Sequence, residues 1–168
     1  GSLAYIRTTN YEPFIESSKQ ILAKYANKIL LPVDLAGEEN TKRVEFRIEE
    51  VPNDFTALDI GSQTAEIYRQ KILASKTVFV NGPMGVFEKP ETELGTKVIW
   101  QALGDTQAYT VVGGGDSVTA TAKYDMCDKI GYVCTGGGAL IRFLTGEELP
   151  VVKALRYAAA AFPVEGRQ

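Results

Sequence analysis

The apolar positions at the start of the chain follow a helical pattern, and those that come next follow a strand pattern. Within residues 13–27 six positions recur at helical spacing: Phe14, Ile15, Ser18, Ile21, Leu22 and Tyr25. This spacing predicts an amphipathic helix. Residues 28–31 predict a strand that ends at Pro32, because proline cannot donate to a sheet. Residues 37–42 are polar and predict a solvated turn, whereas residues 43–48 alternate as in a half-exposed antiparallel strand.

From Leu58 onward the pattern becomes a repeated strand, turn and helix. The strands are predicted at 58–60, 77–80, 108–112 and 131–134, and the helices begin near Ser62, Glu91, Asp116, Gly138 and Pro150. Ser62 is also predicted to be the N-cap of its helix. Such alternation implies a parallel sheet covered by helices. We therefore expect a doubly wound α/β fold: a mostly parallel sheet with helices on both faces, in a Rossmann-like, three-layer αβα arrangement.

Three of the predicted strands run directly into glycine-rich turns. We name residues 81–88, 113–117 and 135–139 the first, second and third glycine turns. Turns that repeat at the same end of neighbouring parallel strands line a single crevice. Glycine lets backbone amides approach a ligand closely, and the helix start behind each turn adds partial positive charge. Together the three turns favour a phosphate-binding site.

The second glycine turn also supplies a carboxylate. Asp116 follows Gly113, Gly114 and Gly115, and its oxygens are of the kind that Mg²⁺ prefers. Asp116 could equally be the N-cap of the helix that begins there, a role that Ser117 could also fill. Spacing alone leaves both interpretations open.

The other two turns carry less distinctive chemistry. Gly136, Gly137 and Gly138 form either a tight strand-to-helix turn or a helix start that stabilises charge growing during phosphoryl transfer. Asn81 and Glu88 are the polar residues of the first turn, and Glu88 could be an ordinary solvated carboxylate.

Two aspartates outside the glycine turns, Asp34 and Asp59, lie at predicted strand ends. A functional role is open for each, but turn-capping is favoured, because aspartate side chains commonly accept bonds from nearby backbone amides.

Composition and charge exclude several classes of protein. The 168 residues are 45% apolar and 23% charged, which is typical of one globular domain without a membrane span. The net charge is −3 and the basic residues are dispersed, which argues against nucleic acid as the main partner. Without histidine, a zinc site or a Ser-His-Asp triad is not expected. The two cysteines, Cys127 and Cys134, are interpreted as reduced thiols of a cytoplasmic protein.

The glycine turns resemble signature segments of one enzyme family. Three segments are similar, in the same order, to segments of phosphoglycerate kinase: Asn-Gly-Pro-Met-Gly-Val-Phe-Glu at 81–88, Gly-Gly-Gly-Asp-Ser at 113–117 and Thr-Gly-Gly-Gly-Ala at 135–139. Leu-Pro-Val-Asp at 31–34, Asp59-Ile60-Gly61 and Glu148-Leu149-Pro150 fit the same pattern. The resemblance runs from about Ile29 to about Leu155. It implies that residues 1–168 are part of the nucleotide-binding, C-terminal domain of an archaeal-like phosphoglycerate kinase, namely its second half.

The resemblance implies a nucleotide site and its cofactor, Mg²⁺ bound with ATP or ADP. The implied nucleotide-binding residues are Asn81, Pro83, Val86, Glu88, Gly113, Gly114, Gly115, Asp116 and Ser117. In that site Glu88 holds the ribose hydroxyls, Asn81 contacts the phosphates and Val86 packs against the adenine. Asp116 matches the family's contact to the Mg-nucleotide. Gly136, Gly137 and Gly138 match the turn that acts on the moving phosphate, and are the implied catalytic residues.

The chain lacks other parts that a kinase needs. No lysine or arginine lies within the three glycine turns, Lys89 and Lys123 are the nearest cations, and no P-loop pattern is present. In the resembled family the missing cations and the 3-phosphoglycerate site belong to the preceding, N-terminal portion. We therefore expect the nucleotide-binding part of phosphoglycerate kinase, with ATP or ADP and that portion as partners, and no activity from the chain alone. The alternative is a stand-alone, non-catalytic module that binds adenine nucleotides.

Overall fold

In the computed structural model, which describes residues 2–162, the chain forms two three-stranded sheets and seven α-helices. The strands are β1 Asp34–Glu39, β2 Lys42–Arg47, β3 Asp59–Ile60, β4 Thr77–Asn81, β5 Tyr109–Gly113 and β6 Tyr132–Cys134. The helices are α1 Ser2–Thr8, α2 Phe14–Tyr25, α3 Ser62–Leu73, α4 Leu94–Asp105, α5 Gly115–Lys123, α6 Gly138–Leu144 and α7 Pro150–Ala161. Two short 3₁₀ helices, Ala26–Lys28 and Ile48–Glu50, follow α2 and β2. Within this part of the chain, no helix has both the length and the apolar character needed to cross a bilayer.

The second half of the chain builds a parallel sheet from three of the four strands predicted for it, whereas the strand predicted at 58–60 forms β3, which pairs antiparallel with β1 in the other sheet. The strands of the parallel sheet lie in the order β4-β5-β6 and are parallel throughout. Val80 and Val112 point from one face into a core that contains Trp100 and Leu103 of α4. On the opposite face, Leu140 of α6 lies over Gly113. The three-layer α/β prediction is therefore confirmed.

The core also joins two helices on the same side of the parallel sheet. The indole nitrogen of Trp100, which is fully buried, donates to the Thr121 hydroxyl of α5 at 2.9 Å. That hydroxyl in turn donates to the Ser117 carbonyl at 2.8 Å. Since buried polar atoms are costly unless they are hydrogen-bonded, this chain of bonds fixes α5 against α4.

The first half of the chain differs from prediction. Residues 28–31 do not form a strand, and the polar stretch predicted as a turn lies largely within β1 and the start of β2. β1 has antiparallel partners on both sides, β2 and β3, whereas residues 29–33 pair with no strand among the described residues. The turn itself is only Asn40 and Thr41, which have φ of 50° and 61°. Such a two-residue turn matches the twist of paired strands, so strand pairing outweighs the polar composition of β1.

The N-cap prediction for Ser62 is wrong, both about which residue is at the cap position and about which side chains bind the free amides. The cap position of α3 is Gly61, and Ser62 is the first helical residue. Carboxylates from the antiparallel sheet bind the free amides instead: Asp34 accepts from Gln63 and Thr64 at 2.9 and 2.8 Å, and Glu45 accepts from the Ser62 amide at 3.0 Å. A negative charge at a helix start is stabilised by the unpaired amides, which explains why these side chains can displace a local cap.

Asp59 holds a helix start in the same way. Its buried carboxylate accepts from the Gly95 amide, in the first turn of α4, at 2.8 Å and from the Arg43 guanidinium at 2.9 Å. Burial raises the pKa of Asp59, and the bonds from Gly95 and Arg43 oppose that rise. Both aspartates do act as caps, but the prediction of turn-capping is wrong about what they cap: Asp34 caps the start of α3 and Asp59 that of α4, both far along the chain.

Candidate functional site

The register of the parallel sheet places the three glycine turns side by side. Asn81 is opposite Gly113, and Gly113 is opposite Cys134, so that β4, β5 and β6 end at the same level. The glycine turns continue from these three residues at the carboxyl edge of the sheet, which is where open α/β folds bind their ligands. The sequence-based expectation that the turns share one edge is confirmed.

The first and second glycine turns are bonded to each other. The Gly82 amide donates to the Ser117 hydroxyl at 2.7 Å, and Ser117 is fully buried. Gly114 has a φ of 95°, and a Cβ atom there would lie 3.1 Å from Oδ1 of Asn81. Glycine is therefore required at this position both by its backbone conformation and by the approach of the Asn81 side chain.

The start of α5 presents free backbone donors. The first hydrogen bond of the helix runs from the Val118 amide to the Gly114 carbonyl at 3.0 Å. The amides of Gly115, Asp116 and Ser117 precede it and have no acceptor within the helix. Gly115 and Asp116 are exposed to solvent. These donors and the helix dipole make the second glycine turn suited to a phosphate group.

Asp116 lies in the first turn of α5 and does not cap it. Gly114 is the residue at the cap position, and no side chain makes a capping bond there. Within residues 2–162, the exposed Asp116 carboxylate takes part in no hydrogen bond or ion pair. The same residues contain no cluster of three or more metal-ligating side chains. Mg²⁺ bound with a nucleotide needs only one or two protein carboxylates, because phosphates and water supply the remaining oxygens. A lone, free carboxylate beside the phosphate donors fits that requirement.

The rest of the first glycine turn combines a buried anchor with exposed neighbours. Phe87 is 3% exposed and belongs to the core, whereas Glu88 is exposed and its carboxylate makes no hydrogen bond among the described residues. Pro83 and Val86 line a cavity of about 540 Å³ together with Tyr5 of α1. This arrangement leaves an apolar surface and a free carboxylate on the same turn.

The third glycine turn is shaped by the Cys134 thiol, to which no local pattern assigns a role in the turn. The Gly136 amide donates to Sγ of Cys134 at 3.4 Å, and Gly137 precedes α6 with a φ of 49°. Both Gly136 and Gly138 are exposed. The turn therefore lies open to solvent beside the other two.

The nearest cations are bound to carboxylates. Lys89 pairs with Glu38 of β1 at 2.9 Å, and Lys123 pairs with Glu93 at 2.8 Å. The bond from Lys123 lowers the pKa of Glu93, while burial and the Glu93 charge raise the pKa of Tyr124. Sequence reasoning named both lysines but missed their partners, because no local pattern signals a contact between residues so far apart.

Comparison with known proteins supports one family. The family model for phosphoglycerate kinase matches residues 4–147, which include all three glycine turns. The phosphoglycerate kinase of Methanothermus fervidus is 44% identical over 149 residues, covering 89% of this chain and 36% of the relative. That of Methanothermobacter thermautotrophicus is 36% identical over 154 residues, covering 92% of this chain and 37% of the relative.

Solved structures agree with the sequence comparisons. The phosphoglycerate kinase of Pyrococcus horikoshii has a TM-score of 0.85 and 33% identity, covering 96% of this chain and 40% of that one. That of Coxiella burnetii has a TM-score of 0.78 and 34% identity, covering 86% of this chain and 39% of that one. The chain thus spans well under half the length of these relatives. From the family match, the identities and the shared fold, the chain belongs to the phosphoglycerate kinase family.

Proposed function

We propose that this chain is the nucleotide-binding part of a phosphoglycerate kinase, which transfers a phosphoryl group between 1,3-bisphosphoglycerate and ADP, or from ATP to 3-phosphoglycerate in reverse. The observation that carries the proposal is the register of β4, β5 and β6, which aligns three glycine turns beside the free amides of α5. Phosphoryl transfer depends on positioning and on donors around the phosphate oxygens, and these turns supply both.

Each part of the site has a role in this proposal. Gly113, Gly114 and Gly115, with Asn81 and Ser117, form the phosphate-binding turn, and the free amides at the start of α5 are its donors. Because Ser117 is buried and already accepts from Gly82, its contribution is to donate its hydroxyl proton or to hold the turn. Pro83 and Val86 border the cavity of about 540 Å³ and receive the adenine, while the free Glu88 carboxylate binds the ribose hydroxyls.

The metal and the third turn complete the assignment. Asp116 would hold Mg²⁺ bound with ATP or ADP, and the ion would neutralise phosphate charge in the complex. Gly136, Gly137 and Gly138 act on the phosphoryl group during transfer through their exposed backbone, and they are the catalytic residues of this part. Residues 1–168 thus form a partial nucleotide-binding domain, which we place in the cytoplasm because both described cysteines are free thiols.

The partner of this domain is the remaining portion of the enzyme with its 3-phosphoglycerate site. The chain covers 36% and 37% of its relatives from Methanothermus fervidus and Methanothermobacter thermautotrophicus. Most of such an enzyme therefore lies outside the matched part, and we assign the 3-phosphoglycerate site to it. The face of the parallel sheet opposite the core is only partly covered by α6: Phe79, Tyr109 and Tyr132 are 42%, 57% and 55% exposed. Exposed apolar patches of this kind mark interaction surfaces, and this one suits that portion.

A stand-alone adenine-nucleotide module is the second candidate. It is favoured by one observation: Lys89 and Lys123, the cations nearest the glycine turns, are held by Glu38 and Glu93. Such a module would bind Mg-ADP without any phosphoryl transfer. Adding the remaining portion of a phosphoglycerate kinase as a separate chain distinguishes the two candidates, because only the first predicts that turnover returns.

Titration calorimetry with Mg-ADP up to millimolar concentration tests nucleotide binding. We expect weak binding, because the chain lacks neighbouring contacts that would order the site. NAD serves as the control ligand and should bind less tightly than ADP. If Mg-ADP gives neither heat nor a rise in melting temperature, the proposed nucleotide binding by this chain is wrong.

A further inference from the structure

Helix α5 contacts the first glycine turn at both of its ends. At its N-terminal end, the buried Ser117 hydroxyl accepts from the Gly82 amide at 2.7 Å. At its C-terminal end, the Lys123 ammonium donates to the Phe87 carbonyl. The two contacts bind residues that begin and nearly end the turn, so a single rigid helix spans it.

The environment of Lys123 is specific. Its ammonium pairs with Glu93 at 2.8 Å and lies 5.7 Å and 5.5 Å from the ring centres of Phe87 and Tyr124. The Tyr124 hydroxyl donates to the same Glu93 carboxylate at 3.3 Å. A carbonyl, a carboxylate and two aromatic rings thus define the position of a single cation.

These contacts add little to the free energy of unfolding of the whole chain. The Lys123 side chain is 35% exposed, and partly exposed ion pairs contribute about 1 kcal/mol or less. Their effect is local instead. Glu88 directly follows Phe87, and its carboxylate makes no hydrogen bond of its own in the described part of the chain. Its position is therefore set through its backbone, which is held by the buried Phe87 ring, by the bond from the Val86 amide to the Leu58 carbonyl and by Lys123.

We propose that Lys123 is a positioning residue, which together with Ser117 makes α5 a strut that fixes residues 82–88 relative to the free amides of α5. Glu88 and the phosphate donors are then held at a constant separation, which a rigid nucleotide requires. The role in nucleotide binding rests on the function proposed above, whereas the effect on the turn itself does not.

Amide hydrogen exchange on the ligand-free chain tests the strut directly. The Val86 amide donates to the Leu58 backbone carbonyl at 2.8 Å, and the Thr92 amide donates to the Lys89 backbone carbonyl at 3.1 Å. In K123M both amides should exchange about three- to tenfold faster, because loss of one bond and one ion pair eases local opening. The Val112 amide in the core should be unaffected. K123R should retain most of the protection, and K153M, on exposed α7, is the matched control for loss of one charge.

Nucleotide binding supplies the second readout. K123M should weaken Mg-ADP binding several-fold and leave Mg-pyrophosphate binding unchanged, because pyrophosphate does not reach Glu88. In the E88Q background K123M should add little, since both changes remove the same contact. Equal losses for both ligands, or additive losses with E88Q, would contradict positioning through Glu88.

The two readouts separate this inference from the proposed function. If the unchanged chain binds no Mg-ADP, the proposed function fails, and the exchange rates of Val86 and Thr92 still decide whether the strut exists. Unchanged rates in K123M would overturn the inference whatever the chain binds. Should K123M fail to fold, K123Q, which removes the ion pair with Glu93, is measured in the same way, and unchanged rates in K123Q would equally overturn the inference.

Discussion

At the scale of single residues, two carboxylates of the candidate site are unpaired among the described residues, whereas the two nearest lysines form ion pairs. Asp116 and Glu88 are exposed without partners among the described residues, whereas Lys89 and Lys123 are bound to Glu38 and Glu93. Free carboxylates beside amide donors repel a bare phosphate and accept one that carries a metal ion. Under the proposed function, these residues would favour a metal-bound nucleotide over free phosphate.

D116N should weaken binding of Mg-ADP much more than binding of metal-free ADP. Asparagine keeps the shape of the side chain and removes the charge that a hard cation prefers. Calorimetry with Mg²⁺ and with a chelator measures the two affinities. Because Asp116 makes no capping bond, the free energy of unfolding should change by no more than about 0.5 kcal/mol. Equal losses with and without metal would assign Asp116 to the phosphate itself.

R43M should destabilise the chain strongly, even though Arg43 lies outside the glycine turns. It would leave the buried Asp59 carboxylate without its cation, which costs about 3–5 kcal/mol. Urea unfolding measures the effect, with R69M as the control because the Arg69 pair with Glu66 is exposed. If the free energy of unfolding changed as little in R43M as in R69M, the amide donors alone would be sufficient to stabilise the buried Asp59 charge.

At the scale of elements, the sequence patterns predicted correctly those strands and helices whose formation depends on neighbouring residues. The strands that enter the glycine turns, and the helix that begins at Pro150, form where β-branched runs and a proline indicate them. Predictions failed where a distant partner decides. The polar β1 forms because two strands pair with it, and α3 is capped by Asp34 and Glu45 rather than by Ser62.

In the candidate site too, features set by neighbouring residues could be predicted and contacts between distant residues could not. Its turns and their shared edge could be predicted, because glycine after a strand is a local signal. The bonds that fix them could not, because they join residues far apart in the chain: Gly82 to Ser117, and Phe87 to Lys123.

E45Q should destabilise the chain near neutral pH and make less difference in acid. Burial alone would raise the pKa of Glu45, but bonds from Ser62 and Arg43 outweigh it and lower the pKa below its usual 4.5. A lowered carboxyl pKa stabilises the fold above the unfolded value, and the contribution disappears as pH falls through the folded value. Urea unfolding at about pH 7 and about pH 4 should therefore show the difference from the unchanged chain shrinking. E39Q, at an exposed glutamate, is the control, and a pH-independent difference in E45Q would contradict this account.

At the scale of the whole molecule, the chain spans well under half the length of the phosphoglycerate kinases that it matches. The parallel sheet, α4 and α5 form a packed unit that presents three glycine turns. α7 contains no buried residue, and the sheet face opposite the core is only partly covered by α6. The chain covers 40% of its solved relative from Pyrococcus horikoshii. Under the proposed function, we expect this part to align the nucleotide and the remaining portion of the enzyme to stabilise the transferring group.

The chain alone should show no phosphoglycerate kinase turnover. Cations on the transferring phosphoryl group are worth orders of magnitude in rate, and Lys89 and Lys123 are committed to Glu38 and Glu93. A coupled assay with 3-phosphoglycerate and Mg-ATP should stay at background across pH, and turnover should return when the remaining portion of the enzyme is added as a separate chain. The same addition to D116N is the matched control and should restore far less. Turnover by the 168 residues alone would mean that Lys89, Lys123 or Arg142 completes the site, and each lysine would then have to leave its carboxylate to do so.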